Sequence, residues 1–471
     1  MKTQGAPMDP GDKASRNAGL AVSYITRLQF DEIPPQTVKM VKCCLMDYFS
    51  ACIAGIGFPA SKSGLGILGS FGRKEEATVI GCRKKVPAIA AVWANALLGN
   101  VLDFEDGHYP SLSHPASVVF PVAMAFSEKL NVDPKELITT VVIGYDILGR
   151  SGALMARKYR ERTHGFGAPS VYAAAAVAAR LLGLERARVE MALGVAGCHM
   201  PSIPVLRSNE YGAMTKGGGP WGAFAGSMSA LLAAEGFTAP PATLQDPFIS
   251  GDDESAVSQL LTLGTEFAID HVYFKRYPAC RWAHAPLDAV QAIMSEHAVR
   301  PDQVADILVE TFQEALSLAQ KAPKTIEGIE FSSIPMPLAL MLVDGEFGVD
   351  QLSSDRLEDP KVLQIASKVR MILDPELDKM FPKRRPARVT LTTCGGAAYT
   401  KEILEVHGEP GSEFAKVGIT EKFFRIVTSR FGENVANRLH SAIQNLDHLS
   451  SLGELFDLLK TQPRIMREQD R

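Results

Sequence analysis

Apolar positions recur at intervals of three and four residues through the first half of the chain, from about Gly19 to Ala239. The segment 38–55, VKMVKCCLMDYFSACIAG, has this spacing, which predicts an amphipathic helix. Later segments such as 171–184, VYAAAAVAARLLGL, are dense in alanine and apolar on more than one face. Because helices with small side chains can approach closely, this half predicts a large buried helical core.

The pattern changes after Phe237, where a proline-containing stretch is followed by short alternating segments. Residues 387–406, ARVTLTTCGGAAYTKEILEV, predict two strands joined by a Cys-Gly-Gly turn. The block 335–345, PMPLALMLVDG, predicts a helix before that hairpin. Helical spacing returns after residues 408–414, GEPGSEF. We therefore predict a mainly α fold with a smaller α+β domain. Its predicted parts are a disordered tail at 1–18, a discontinuous all-helical domain at 19–264 and 413–471, and an α+β domain at 265–412.

Composition excludes several classes of function. The chain has 471 residues, with 49 Lys and Arg against 53 Asp and Glu, and this net charge of −4 argues against a dedicated nucleic-acid-binding protein. Its seven cysteines include no Cys-x-x-Cys pair and do not predict a disulfide framework, a zinc site or an iron–sulfur site. No segment reaches the roughly 20 apolar residues of a membrane helix. The N-terminus lacks the apolar region of a secretory signal, so we expect a cytoplasmic protein.

One glycine pattern is similar to a nucleotide-binding motif. Gly55, Gly57 and Ala60 match the GxGxxA spacing of dinucleotide-binding loops. The preceding residues, however, predict a helix, whereas that motif must follow a strand. We therefore attribute these glycines to a helix end, and we expect no nucleotide cofactor.

The segment 100–116, NVLDFEDGHYPSLSHPA, is the richest in chemical groups. The carboxylic acids Asp103, Glu105 and Asp106 and the histidines His108 and His114 lie within twelve residues, directly after an apolar helix. Such groups on a loop held by rigid helices suit proton transfer. They would also suit a metal, although two histidines separated by five residues are not a usual zinc spacing. A solvated loop at a helix end is compatible with the same residues.

Other candidate residues lie farther along the chain. Arg281 and the neighbouring Lys275, Tyr277 and His284 form a cationic and aromatic cluster that suits a polycarboxylate, since arginine binds carboxylates in bidentate fashion. An exposed basic face at a domain junction is the alternative. His164 precedes an alanine-rich helix, and Lys216 lies beside three consecutive glycines. Taken singly, each of these two residues is more often structural or solvated.

Taken together, these segments resemble the MmgE/PrpD family, which includes 2-methylcitrate dehydratase and cis-aconitate decarboxylase. The resemblance extends from about Ala21 to Leu459. It is carried, in order, by MDYFSACIAG, NALLGNVLDFEDGHYPSLSHPAS, AARLLGLERARVEMALGVAG, LLAAEGFTAP and YFKRYPACRWAHAPLDAV. It implies a large all-helical domain with a smaller α+β lid, a homodimer, and no metal or organic cofactor.

The resemblance also implies the residues of a site. Two histidines would move protons: His114 in a His-Pro dipeptide, and His164 before the alanine-rich helix. Lys216 and Lys275 would hold substrate carboxylates and stabilise the negative charge that develops on them. Asp103 would orient a histidine or serve as the alternative base.

Arg281, Tyr277 and His284 would bind substrate at the lid junction. Gly107 stands where many members have a threonine, and the loss of that hydroxyl would change contacts to a substrate carboxylate. The implied activity is that of a cofactor-free lyase acting on a small di- or tricarboxylate, with dehydration favoured. The alternatives are decarboxylation of cis-aconitate, epimerisation of an acid such as iminodisuccinate, and a non-catalytic paralogue that binds a metabolite.

Overall fold

The structure is a computed structural model that describes residues 10–160, 167–203, 208, 211–240 and 260–464. The helices of the first half are α1 (Pro10–Arg27), α2 (Pro35–Gly55), α3 (Pro59–Gly66), α4 (Ala88–Asn100), α5 (Ala116–Leu130), α6 (Pro134–Arg160), α7 (Gly167–Leu181), α8 (Arg186–Cys198) and α9 (Gly219–Ala234). α1 begins at Pro10, inside the predicted tail. α2 ends at Gly55, so a helix rather than a strand precedes the glycine motif, as predicted.

Small residues let the helices of this half pack closely. A Cβ atom at Gly226 of α9 would lie 2.2 Å from the carbonyl oxygen of Val171 on α7. One at Gly222 would lie 2.5 Å from the carbonyl oxygen of Gly167. Only glycine permits this approach, and it produces the packing that the small-residue pattern predicts. Within α6, the stretch Pro134–Met155 is long and apolar enough to cross a membrane, but it is 94% buried inside the protein, as a core helix is.

The second half contains a small sheet and its helices. In chain order these elements are α10 (His284–His297), β1 (Val304–Thr311), α11 (Ile326–Phe331), α12 (Pro335–Asp344), α13 (Pro360–Ser367), β2 (Val369–Leu373), α14 (Pro375–Asp378), β3 (Ala387–Thr393) and β4 (Ala398–Ile403). The strand order is β2-β1-β3-β4. β1 is parallel to β2 and antiparallel to β3, and β3 pairs with β4 as the predicted hairpin. α10 packs against β3 and β4.

The chain returns to helix at its C-terminal end, with α15 (Ile419–Phe431), α16 (Glu433–Gln444) and α17 (Gly453–Leu459). α15 packs against α2. The ammonium of Lys422 on α15 lies 2.7 Å from Oδ1 of Asp47 on α2 and donates to the carbonyl oxygen of Phe104 at 2.6 Å. The predicted fold class, mainly α with a smaller α+β part, is therefore confirmed. The contacts of Lys422 also fix the loop that follows α4.

Candidate active site

The loop after α4 and the segment before α9 each contain a strained residue. Asp103 has a φ of 48° and Lys216 a φ of 42°, both in the left-handed region that side chains other than glycine's rarely adopt. A residue held there costs on the order of 1–3 kcal/mol and persists only where the surroundings enforce it. Such residues cluster at functional sites, and these two were singled out by the sequence independently of their backbone.

Two side chains meet at Asp103, that of Lys275 from a distant part of the chain and that of His114 from the same loop. The ammonium of Lys275 lies 2.6 Å from Oδ1 of Asp103 and donates to the backbone carbonyl of the same residue at 2.8 Å. Nε2 of His114 lies 3.4 Å from the same Oδ1. Asp103 therefore engages two of the three N–H groups of Lys275, and the third has no acceptor among the described residues.

The surroundings set the charge of Asp103 and His114. Burial opposes ionisation of Asp103, but Lys275, together with His114 and Lys216, outweighs it and lowers the pKa of the carboxyl to about 2. Burial and then the charge of Lys275 lower the pKa of His114. At neutral pH the carboxyl is therefore ionised and the imidazole is neutral. Nδ1 of His114 lies 2.9 Å from the carbonyl oxygen of Asp106, an acceptor, so Nδ1 carries the proton and Nε2 the lone pair.

Lys216 reaches the same region from the other side. Its ammonium donates to the carbonyl oxygens of Val101 and Asn100 and to Oε1 of Glu330 on α11. Burial raises the pKa of Glu330 to about 8, despite the opposing effect of Lys216, and the charge of Asp103 raises it further. The second oxygen of Glu330, Oε2, has no hydrogen-bond partner in the described part of the chain.

A metal was one interpretation of the acidic loop. Asp103, Glu105 and His114 each offer one ligand atom, and these atoms lie within 4.8 Å of one another. Oδ1 of Asp103, however, already contacts the ammonium of Lys275. A metal ion bound by this carboxylate would lie beside that ammonium, and the two positive charges would repel each other, so the geometry favours Lys275 as the partner of Asp103.

The rest of the acidic loop organises the backbone. Oδ1 of Asp106 accepts from the amide of Ala116 at 2.9 Å, and Oδ2 accepts from the hydroxyl of Tyr145 at 2.7 Å. Burial raises the pKa of Asp106 to about 7. Nδ1 of His108 lies 2.8 Å from the hydroxyl of Ser111, and burial lowers the pKa of His108 to about 3. These partners hold the loop and the start of α5.

Arg281 fastens the α+β part to the loop of the site. Its Nε donates to the hydroxyl of Tyr109 at 3.1 Å, and its Nη2 donates to Glu409 at 2.8 Å. Its Nη1 donates to the carbonyl oxygens of Phe274 and His407. These contacts use four of the five N–H groups of the guanidinium, so the predicted contact of Arg281 with substrate could use the remaining N–H group of Nη2.

The two other junction candidates also bind protein groups. The hydroxyl of Tyr277 donates to Asp288 at 2.9 Å, and its ring lines a separate cavity of about 240 Å³ beside Lys422. Nε2 of His284 lies 3.2 Å from the carbonyl oxygen of Ala279. Burial and then the charge of Arg281 lower the pKa of His284, which keeps it neutral. Both residues therefore support the junction in this structure.

The structure explains why glycine occupies position 107. It exchanges two backbone hydrogen bonds with Tyr273, and a Cβ atom at 107 would lie 2.2 Å from the phenol ring. A threonine therefore does not fit at 107 while Tyr273 occupies this place. The phenol is 6% exposed, and its hydroxyl makes no hydrogen bond with the described residues. Burial and the charge of Tyr109 act most strongly on this hydroxyl, and the charge of Asp103 also acts on it, so the phenol of Tyr273 lies near the site.

The structure brings together Asp103, His114 and Lys275, with Lys216 beside them, whereas His164 lies outside the described residues. Sequence reasoning missed Glu330 and Tyr273. Glu330 is one of two acids on a six-residue helix, 114 positions after Lys216, and no motif marks it. Tyr273 stands in an ordinary aromatic stretch before Lys275. Only its contact with Gly107 sets it apart.

Known proteins resemble the chain along most of its length. The model of the MmgE/PrpD N-terminal domain matches residues 20–250, and that of the MmgE/PrpD C-terminal domain matches residues 277–448. A cis-aconitate decarboxylase of Aspergillus terreus is 25% identical, over 93% of this chain and 94% of its own. The cis-aconitate decarboxylase of Homo sapiens is 23% identical over 80% of each chain. A cis-aconitate decarboxylase-like protein of Aspergillus oryzae is 21% identical over 93% of this chain and 96% of its own.

Proposed function

The chain belongs to the MmgE/PrpD family, and from this premise we propose that it is a lyase acting on a small di- or tricarboxylate. Two of the relatives named above are cis-aconitate decarboxylases, and a decarboxylase is a lyase. The observation in this chain that supports the proposal is one group of side chains, which are buried except for the partly exposed His114. It contains two lysine ammonium groups, an ionised Asp103 and a neutral His114.

Each member of this group has a role in such a reaction. Ammonium groups in a buried site neutralise substrate carboxylates and stabilise the charge that develops beside them. Lys275 keeps one N–H group for this purpose. The lone pair on Nε2 of His114 can take a proton, and the ionised Asp103 at 3.4 Å would stabilise the imidazolium that results.

The leading reaction is decarboxylation of cis-aconitate, favoured by the relatives. The bond between the carbon skeleton and one carboxylate breaks, and carbon dioxide leaves. The electron pair of that bond stays on the skeleton, the double bond shifts, and another carbon takes a proton from the protein to give itaconate. The lysines would hold the remaining carboxylates while this charge forms.

Dehydration, which the sequence favours, is the second candidate. Its support is the neutral imidazole of His114, whose Nε2 is in the state that a base requires. The base would remove a proton from a carbon next to a carboxylate, and the hydroxyl group would leave with a second proton as water. A substrate of the 2-methylcitrate type fits this reaction.

Proton NMR in deuterated buffer would distinguish these reactions. The purified protein is mixed with cis-aconitate, 2-methylcitrate isomers, citrate and iminodisuccinate. Itaconate from cis-aconitate establishes decarboxylation, and a new vinyl proton from a hydroxy acid establishes dehydration. Deuterium incorporation without loss of a group indicates an epimerase. Binding without any change over the whole panel contradicts the proposed lyase activity.

His114→Ala removes the imidazole on which either reaction depends. We expect turnover to fall by roughly 10²–10⁴-fold, the usual contribution of a general acid–base group. His448→Ala is the control, because His448 is 78% exposed and far from Asp103 in the sequence. Turnover close to wild type in His114→Ala, with the same melting temperature, would remove His114 from the mechanism.

A further inference from the structure

All three N–H groups of Lys216 are engaged in this structure. An ammonium has three donors, and those of Lys216 go to the carbonyl oxygens of Asn100 and Val101 and to Oε1 of Glu330. The two carbonyls belong to the end of α4 and to the residue after it, which are fixed by the helix. Glu330 is the only one of the three acceptors that belongs to a side chain. A substrate carboxylate can therefore reach Lys216 only by replacing Glu330.

From this geometry we infer that a substrate carboxylate exchanges with Glu330 on Lys216, and that Glu330 takes up a proton as it is displaced. The inference rests on the proposed function in one respect, which is that the ligand is a small polycarboxylate. The charge balance is simple. In a molecule whose Glu330 is ionised, one carboxylate enters with its negative charge, one proton enters from solution, and the net charge of the buried site stays the same. In a molecule whose Glu330 is already protonated, that proton is kept and none enters.

The surroundings of Glu330 require this proton. The charged groups that act on it are Lys216 from the segment before α9, Asp103 from the loop after α4 and Glu327 from its own helix. The remaining polar contact joins its backbone carbonyl to the amide of Cys280. Without Lys216, the charged groups among the described residues that act on Glu330 are two carboxylates, its other titratable neighbour is the neutral thiol of Cys280, and its side chain is buried. An ionised carboxylate is costly in such a place.

The displaced Glu330 would hold a proton beside the bound substrate. Both candidate reactions consume a proton, either at carbon or at the leaving hydroxyl. When Glu330 loses its proton it can return to Lys216, which is the arrangement seen here. Binding and proton loading are thereby coupled through one side chain.

Isothermal titration calorimetry can count this proton. The probe is tricarballylate, a saturated tricarboxylate that cannot lose water and has no double bond to shift. Titrations of the full-length protein are run in two buffers of different ionisation enthalpy, at about pH 6.5 and about pH 9. Because the pKa of Glu330 is raised to about 8, we expect wild type to take up almost no proton at the lower pH and close to one at the higher pH.

Glu330→Gln keeps an acceptor for Lys216 and removes the titration. This variant should take up no proton at either pH. At about pH 9 it should bind tricarballylate about tenfold more tightly than wild type, because wild-type Glu330 must be protonated one pH unit above its pKa. At about pH 6.5 the two proteins should bind equally, because Glu330 is already protonated. Glu327→Gln is the matched control, because Glu327 is buried on the same helix but does not contact Lys216. It keeps the titrating carboxyl of Glu330, so it should still take up a proton at about pH 9. The loss of the charge of Glu327 should only lower the pKa of Glu330 somewhat relative to wild type.

Three results would overturn the inference. One is equal proton uptake by wild type and Glu330→Gln. Another is weaker binding by Glu330→Gln at both pH values, which indicates a structural role only. The third is absence of binding in both proteins. Failure of the proposed lyase reaction is separate, since it would appear as silence in the NMR panel while proton uptake on tricarballylate persists.

Discussion

The site contains two buried lysine–carboxylate pairs, and the pKa values of their two carboxyl groups are shifted in opposite directions. Lys275 pairs with Asp103, whose pKa is lowered to about 2, and Lys216 pairs with Glu330, whose pKa is raised to about 8. The side chains of both pairs are at most 3% exposed. Burial is thus equal, and the difference lies in the neighbouring charges.

Asp103 is acted on by three groups that favour its ionisation, Lys275, His114 and Lys216. Glu330 has Lys216 alone, and two carboxylates oppose it. A lysine contact is therefore not enough to keep a buried carboxyl ionised, because the sum of the surrounding charges must exceed the cost of burial. Pairs of titratable groups that are pushed apart in this way commonly divide the acid and base roles of a site.

The largest effect should come from removing the cation of the first pair. Lys275→Met leaves Asp103 buried without its principal partner, and breaking such a pair typically costs about 3–5 kcal/mol in the free energy of unfolding. We expect this loss in urea unfolding at neutral pH, together with a turnover at least about 100-fold lower. The deficit should shrink as acid protonates Asp103.

Lys460→Met is the control for that variant. Lys460 contacts Asp457 at 2.6 Å in a pair whose side chains are 28% and 74% exposed. Exposed pairs contribute about 0–1 kcal/mol, so its unfolding free energy should stay within that range of wild type. Equal losses in both variants would mean that burial does not distinguish the pairs.

The Lys216–Glu330 pair should make the free energy of unfolding depend on pH. The pKa of Glu330 is about 8 in the folded protein, against an ordinary value of about 4.3. Its stabilising contribution is therefore fully present below about pH 4.3 and is lost as the pH rises through about 8. Between these values, wild type should lose about 1.4 kcal/mol per pH unit relative to Glu330→Gln.

Asp103 should have the opposite effect, so that stability falls as the pH is lowered. Its folded pKa of about 2 lies below the ordinary value of about 3.9, so its contribution is present above about pH 3.9 and lost as the pH falls through about 2. Chemical unfolding of wild type, Glu330→Gln and Glu327→Gln at several pH values measures the slope. A constant difference between wild type and Glu330→Gln would contradict the raised pKa.

The smallest effect concerns the contact between Gly107 and Tyr273. In Gly107→Ala the new Cβ would meet the ring of Tyr273 at 2.2 Å, and overpacking of this kind costs about 1–3 kcal/mol. The double variant Gly107→Ala with Tyr273→Ala should lose less than the sum of the single losses, because the clash is gone. Additive losses in thermal unfolding would show that the ring is not what excludes a side chain at 107.

Sequence patterns accounted for the regular elements and missed the irregular ones. The hairpin of β3 and β4 was predictable because alternating residues flank a Cys-Gly-Gly turn. β2 was not predicted, since its five residues include Arg370 and most of them are exposed at the sheet edge, so no alternation shows. In the site, Asp103, His114, Lys216 and Lys275 were named through the family resemblance. The predicted homodimer and the cytoplasmic location stay predictions.

By itself, the sequence determined the helical core, the α+β part and the residue types of the site, because periodicity and motif order are local properties of the chain. It could not determine which acid meets which lysine. Glu330 reaches Lys216 because the start of α11 contacts the segment before α9, where the hydroxyl of Thr325 donates to the carbonyl oxygen of Gly212. Tyr273 matters because Gly107 lies beneath its ring. The protonation states of these groups could not be determined from the sequence either. They depend on burial and on charges distant in the chain, and only the tertiary structure brings those charges together.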